Sequence, residues 1–201
     1  MKPFLNRVLG YVLGLPILVL ASPLLLHYYL FPDLLQRAWR ALRRGDLEKA
    51  QSLAKQALHE AQHKARDWNY GNVIHDANQI LGIVALRHGD MKRAKRFLVL
   101  AGQTPGSPQL NTSGIRMVLA RELAERGESE AVLEYLDAIR RFFLAPLRPN
   151  LAREDNGQRL GFVAAQRRRI EDVADEQRRQ QYESWRREIE GGGVPQHRLW
   201  R

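Results

Sequence analysis

Cysteine is absent from this chain of 201 residues, which excludes a disulfide scaffold, a thiolate zinc site and a cysteine nucleophile. Charge is absent from residues 8–31 (VLGYVLGLPILVLASPLLLHYYLF), so all 22 acidic residues follow that run. Glutamate is absent between Glu60 and Glu122, an interval that bears on a metal motif below. A composition of 44% apolar and 27% charged residues looks like an average globular chain, but it averages two unlike parts.

The first part is the uncharged run. A helix over residues 8–31 would rise about 36 Å, and a bilayer core needs about 20 apolar residues, so a transmembrane helix is expected there. Lys2 and Arg7 precede it, and Tyr28, Tyr29 and Phe31 close it, as amphipathic rings do at the interface. A cleaved signal peptide ending near Val19-Leu20-Ala21 is the rival reading. The apolar run continues for ten residues past Ala21, which favours an uncleaved anchor over residues 1–33. Arg37, Arg40, Arg43, Arg44 and Lys49 outnumber the basic residues before the run. By the positive-inside count, this makes the chain a single-pass inner-membrane protein with its large domain in the cytoplasm. Short basic tails also stay inside, so a periplasmic domain is the alternative.

The second part carries a repeated turn. Leu42-Arg43-Arg44-Gly45-Asp46-Leu47-Glu48-Lys49-Ala50, Leu86-Arg87-His88-Gly89-Asp90-Met91-Lys92-Arg93-Ala94 and Leu123-Ala124-Glu125-Arg126-Gly127-Glu128-Ser129-Glu130-Ala131 align. Glycine ends one helix in a left-handed residue, and the acid after it caps or favours the start of the next. Apolar spacing of 3.6 residues predicts hairpins of 34–44 with 47–64, 72–87 with 91–101, and 115–126 with 130–143. In the first, Ala50, Leu53, Ala54, Ala57, Leu58 and Ala61 share one face. Three stacked hairpins can bury a continuous core that none could bury alone.

Gly-Asp followed by a small Ala resembles the turn of the tetratricopeptide repeat, most closely in the second copy, where Leu81, Gly82, Ala85, Ala94, Ala101 and Pro105 fall near that family's pattern. The resemblance covers residues 34–143 and implies a stack whose concave side binds peptides. Residues 71–78, 104–111 and 185–190 are similar to parts of a group of bacterial repeat proteins, which implies a fold and no activity. The expected fold is therefore all-α: a transmembrane helix, about three antiparallel hairpins, a linker at 144–157, a charged helix at 158–190 and a flexible tail at 191–201. That helix is expected to pack on the last hairpin through Phe162, Ile170, Trp185 and Ile189.

His59-Glu60-Ala61-Gln62-His63 satisfies H-E-x-x-H on a helix, the pattern in which two histidines bind zinc and the glutamate activates water. Arg66 and Asn69 stand where the extended motif needs glycine and histidine, and the glutamate gap removes the usual third ligand. His59 and His63 also fall about 200° and 240° around the helix from Ala57, on the solvent side. His59 and His63 are therefore only a weak metal candidate. No metal, cofactor or catalytic residue is expected, and a membrane-tethered zinc peptidase is a remote alternative.

The net charge is +10, but acids interleave with the basic clusters, and the densest basic run, Lys92, Arg93, Lys95 and Arg96, carries no aromatic rings between its charges for stacking bases, so nucleic acid is not the expected partner. Asn72, His75 or Asp76, and Gln79 recur on one side of the helix expected to line the concave groove, with Gln109 and Asn111 in the next loop. They either bind the backbone of a peptide or fasten the loop by buried hydrogen bonds. Together these features read as a membrane-anchored scaffold or adaptor for a protein or peptide partner, not an enzyme. A periplasm-facing envelope or translocon accessory is the alternative.

Overall fold

The computed structural model describes residues 33–108, 110, 115–145 and 158–200, with side-chain packing in the last stretch from residue 172 onward. The expected transmembrane run, Gln109, Asn111 and the side chains of Phe162 and Ile170 lie outside what is described. Every regular element among the described residues is helical: α1 (Leu34–Arg43), α2 (Leu47–Gln62), α3 (Tyr70–Arg87), α4 (Met91–Gly102), α5 (Val118–Ala124), α6 (Ser129–Phe143), α7 (Gln158–Glu190) and a 3-10 turn (Arg198–Trp200). Among the described residues, no helix is long and apolar enough to cross a membrane.

The three repeated turns fold alike. Gly45, Gly89 and Gly127 have φ of 78°, 76° and 79°, a conformation that glycine adopts without a Cβ clash. In each, the glycine N–H returns to the carbonyl three residues back and the next N–H to the carbonyl five back: Gly45 to Leu42 and Asp46 to Ala41, Gly89 to Leu86 and Asp90 to Ala85, Gly127 to Ala124 and Glu128 to Leu123. These are paired Schellman bonds, which satisfy carbonyls that a helix end leaves open. Asp46 and Asp90 then cap the following helices by accepting from the Lys49 and Arg93 amides. Glu128 caps nothing and instead accepts from Lys95 Nζ at 2.8 Å.

Consecutive helices pack as hairpins, α1 with α2, α3 with α4 and α5 with α6, and the first helices also pack side by side, α1 on α3 and α3 on α5. The predicted face of α2 is buried at Ala50, Leu53, Ala54, Ala57 and Ala61, while Leu58 is half-buried. Methyl-sized side chains let helices approach closely. Gly82 takes this furthest, since a Cβ there would collide with Leu119 of α5 and press on Phe97 of α4. Around these contacts Ile80, Ile83, Leu98, Leu119, Leu136 and Ile139 are fully enclosed, each stabilising the fold by roughly 1.5–3 kcal/mol.

The C-terminal segment departs from expectation. Helix α7 packs on α6 through Trp185 and Ile189, both buried as expected. Residues after the Gly191–Gly193 turn are not a loose tail: Trp200 is fully buried beside Trp185, with ring centroids 6.0 Å apart. The Met117 N–H donates to the Leu199 carbonyl at 2.8 Å. The apolar residues of the segment supply the reason: Pro195 and Trp200 are buried, and Val194 and Leu199 pack half-buried against the core.

Candidate functional site

The first helices of the three hairpins line a groove of about 1090 Å³. Helix α1 contributes Gln36, Trp39, Arg40 and Arg43; α3 contributes Asn72, Asp76, Ile83 and Arg87; the α5 side contributes Arg116, Val118 and Glu122; and Arg198 and Leu199 close one end. Spacing of i, i+4 and i+7 sets Gln36, Arg40 and Arg43 along one stripe of α1.

Two carboxylates organise the floor. Asp76 accepts from Trp39 Nε1 at 3.3 Å and faces Arg116 at 3.7 Å, and the Arg116 guanidinium lies 5.1 Å from the Trp39 ring centroid. Buried Glu122 accepts from both terminal nitrogens of Arg87, at 2.5 and 2.8 Å, and stands 3.8 Å from Arg126. Its hydrogen bond raises the Arg87 pKa above the ordinary guanidinium value. A third acid, Asp33, caps α1 by accepting from the Gln36 amide at 2.7 Å. Every acid of the groove is thus engaged inside the chain. Arg40, Arg43 and Arg198 are exposed and form no ion pair among the described residues, so the groove carries a positive excess.

No protein-family model matches the chain, and no curated protein or solved structure matches it.

Of the polar residues expected on this side of α3, the structure turns most inward. His75 is fully buried; its Nε2 lies 2.9 Å from the Tyr135 hydroxyl and its Nδ1 3.0 Å from Asp76. Burial, and then the charge of Asp76, push the Tyr135 hydroxyl pKa up, so it stays protonated. Gln79, also fully buried, accepts the Leu119 amide at 3.0 Å and thereby joins α3 to the start of α5. Asn72 reaches the groove wall but accepts from the Ser107 hydroxyl at 2.6 Å. Thr104 donates to the Gly71 carbonyl at 2.7 Å, and Arg141 donates to the carbonyls of Gln103 and Thr104. The loop after α4 is fastened from both sides. The expectation that His75 and Gln79 face a partner is corrected by their burial, and Asn72 and Asp76 reach the groove while remaining hydrogen-bonded within the chain. Gln109 and Asn111 fall outside the described residues.

The groove arginines escaped the sequence reading as site residues, although the spacing of Arg40 and Arg43 with Gln36 was a usable signal. His59 and Glu60 are exposed on α2 and His63 just past its end, with the two imidazole centroids 5.7 Å apart. No group of three metal-ligating side chains gathers among the described residues.

Proposed function

We propose that the chain is a membrane-anchored, tetratricopeptide-like adaptor that holds an extended acidic stretch of a partner protein in its groove. One observation carries the reading: Asp33, Asp76 and Glu122 are satisfied internally while Arg40, Arg43 and Arg198 line the same groove without a carboxylate among the described residues. Unpaired guanidinium groups on a preorganised surface attract carboxylates and bind them in a forked geometry. The groove is elongated by the row of first helices, which suits an extended segment better than a compact ligand. The uncharged run 8–31, which ends two residues before Asp33, supports the anchor. The basic residues after it favour a domain in the cytoplasm.

Replacing Arg43 with a photoreactive residue in the full-length protein tests the groove. Cross-links are expected to fall on an acidic stretch of one partner and to fade when Arg40 and Arg198 are changed to Glu. Cross-links spread over unrelated proteins without an acidic preference would refute the reading. A reporter fused after Arg201 decides the side of the membrane, with activity inside the cell expected.

A further inference from the structure

Three of the four tryptophans are enclosed: Trp39, Trp185 and Trp200 are at most 7% exposed, whereas Trp68 is 67% exposed. Its position is built, not loose. The Asp67 amide donates to the Lys64 carbonyl at 2.8 Å, the Tyr70 amide donates to the Asp67 carbonyl at 3.0 Å, and Asp67 Oδ1 accepts from the Asn69 amide at 2.8 Å. These bonds lock the turn between α2 and α3 so that its aromatic ring projects into solvent.

The location of this turn gives the exposure a reason. Asp33, where the chain enters the domain, shares a small cavity of about 160 Å³ with Lys64, Asp67 and Asn69, and shares the mouth of the large groove with Trp68. Only Pro32 separates Asp33 from the uncharged run. The nearby carboxylates accept hydrogen bonds within the chain, Asp33 from the Gln36 amide, Asp67 from the Asn69 amide and Glu60 from Gln56, and keep their charge. Lys64 and Arg66 are exposed and form no ion pair among the described residues. An exposed indole on a hydrogen-bonded turn, flanked by two cations that can reach phosphates and set beside the point where an apolar segment joins the domain, has the chemistry of a bilayer interface, where indole rings sit at headgroup depth.

We infer that the turn of residues 63–69 is a lipid contact, with Trp68 seated among the headgroups of a phospholipid bilayer and Lys64 and Arg66 against its phosphates. This rests on the proposed anchor. It adds a second attachment that would hold the domain at a fixed tilt to the membrane and keep one end of the groove against it.

The test uses the full chain in lipid discs of phosphatidylcholine and phosphatidylglycerol, with and without brominated acyl chains. Residues 1–33 contain no tryptophan, so the anchor itself contributes no indole signal. Brominated lipid is expected to quench part of the emission, Trp68→Phe to abolish that part, and Lys64→Glu with Arg66→Glu to reduce it. Discs that carry the chain but quench the wild type and Trp68→Phe equally would overturn the lipid contact while leaving the anchor standing. So would a Trp68 that stays open to acrylamide in discs and is shielded only by an added acidic peptide. A chain that does not co-elute with discs would overturn both.

Discussion

The backbone amide of Met117 donates to the carbonyl of Leu199 at 2.8 Å, joining the approach to α5 to the last residues of the chain across more than eighty positions. The bond places Leu199 and Arg198 at the end of the groove and leaves Trp200 beneath them, buried against Trp185. Arg198 and Leu199 are thus part of the groove wall.

Replacing Trp200 with alanine is expected to release this segment. Emptying a buried tryptophan site costs about 3–5 kcal/mol, but the segment can detach without opening the hairpins, so global stability should fall by less. Faster tryptic cleavage after Arg198 with only a modest drop in urea midpoint is the expected pattern. An unchanged cleavage rate would mean that the packing of Trp200 does not hold the segment.

His197 makes that docking depend on pH. Burial, and then the charge of Arg198, lower its pKa below the ordinary 6.5. The Leu199 amide donates to its Nδ1 at 3.3 Å, a bond that protonation there would abolish. Because the folded value lies below the unfolded one, the contribution is complete above about pH 6.5 and is lost as pH falls through the depressed folded value. Melting temperatures taken from about pH 7.5 to about pH 5 should fall more steeply for the wild type than for His197→Gln; parallel profiles would exclude this role.

Tyr135→Phe keeps the ring in place but leaves His75 Nε2 buried without its partner, since only the hydroxyl at 2.9 Å faces it. A loss of about 1–3 kcal/mol is expected from an unsatisfied buried polar atom, read from urea denaturation. A midpoint equal to the wild type would show that the hydrogen bond does not support the joint between α3 and α6.

Glu122→Gln should separate stability from binding. Weakening the clamp on Arg87 and Arg126 costs about 1–2 kcal/mol, less than for a fully buried pair because Arg87 keeps contact with water. The same change adds positive charge to the groove, so affinity for acidic peptides should rise about tenfold. Reduced affinity would place the partner elsewhere.

The turns were legible because their code is local: a left-handed glycine followed by a capping acid needs nothing beyond its neighbours, as Gly45-Asp46 and Gly89-Asp90 demonstrate. Glu128 broke the pattern because Lys95, distant in sequence, lies close enough to claim its carboxylate. The polar stripe of α3 was visible, but not its direction. That helix is enclosed by α1, α2, α4 and α5, and periodicity cannot tell a face toward a groove from a face toward another helix. Arg40 and Arg43 were read as a charge signal for membrane orientation, and only the juxtaposition of α1 with α3 and α5 shows that they line a cavity. The docked C-terminus was hidden because a run of three glycines reads as a loose turn, whereas the covering of Trp185 by Trp200 is a tertiary fact.

The most direct measurement selects short random peptides against the full-length protein held in lipid discs, with Arg40→Glu/Arg43→Glu as the counter-sample. Enrichment of extended sequences rich in aspartate and glutamate, lost on the double variant while its helical content and melting temperature are kept, is the expected result. Peptides without an acidic bias, or the same peptides recovered on both proteins, would contradict the groove as the site where a partner is held.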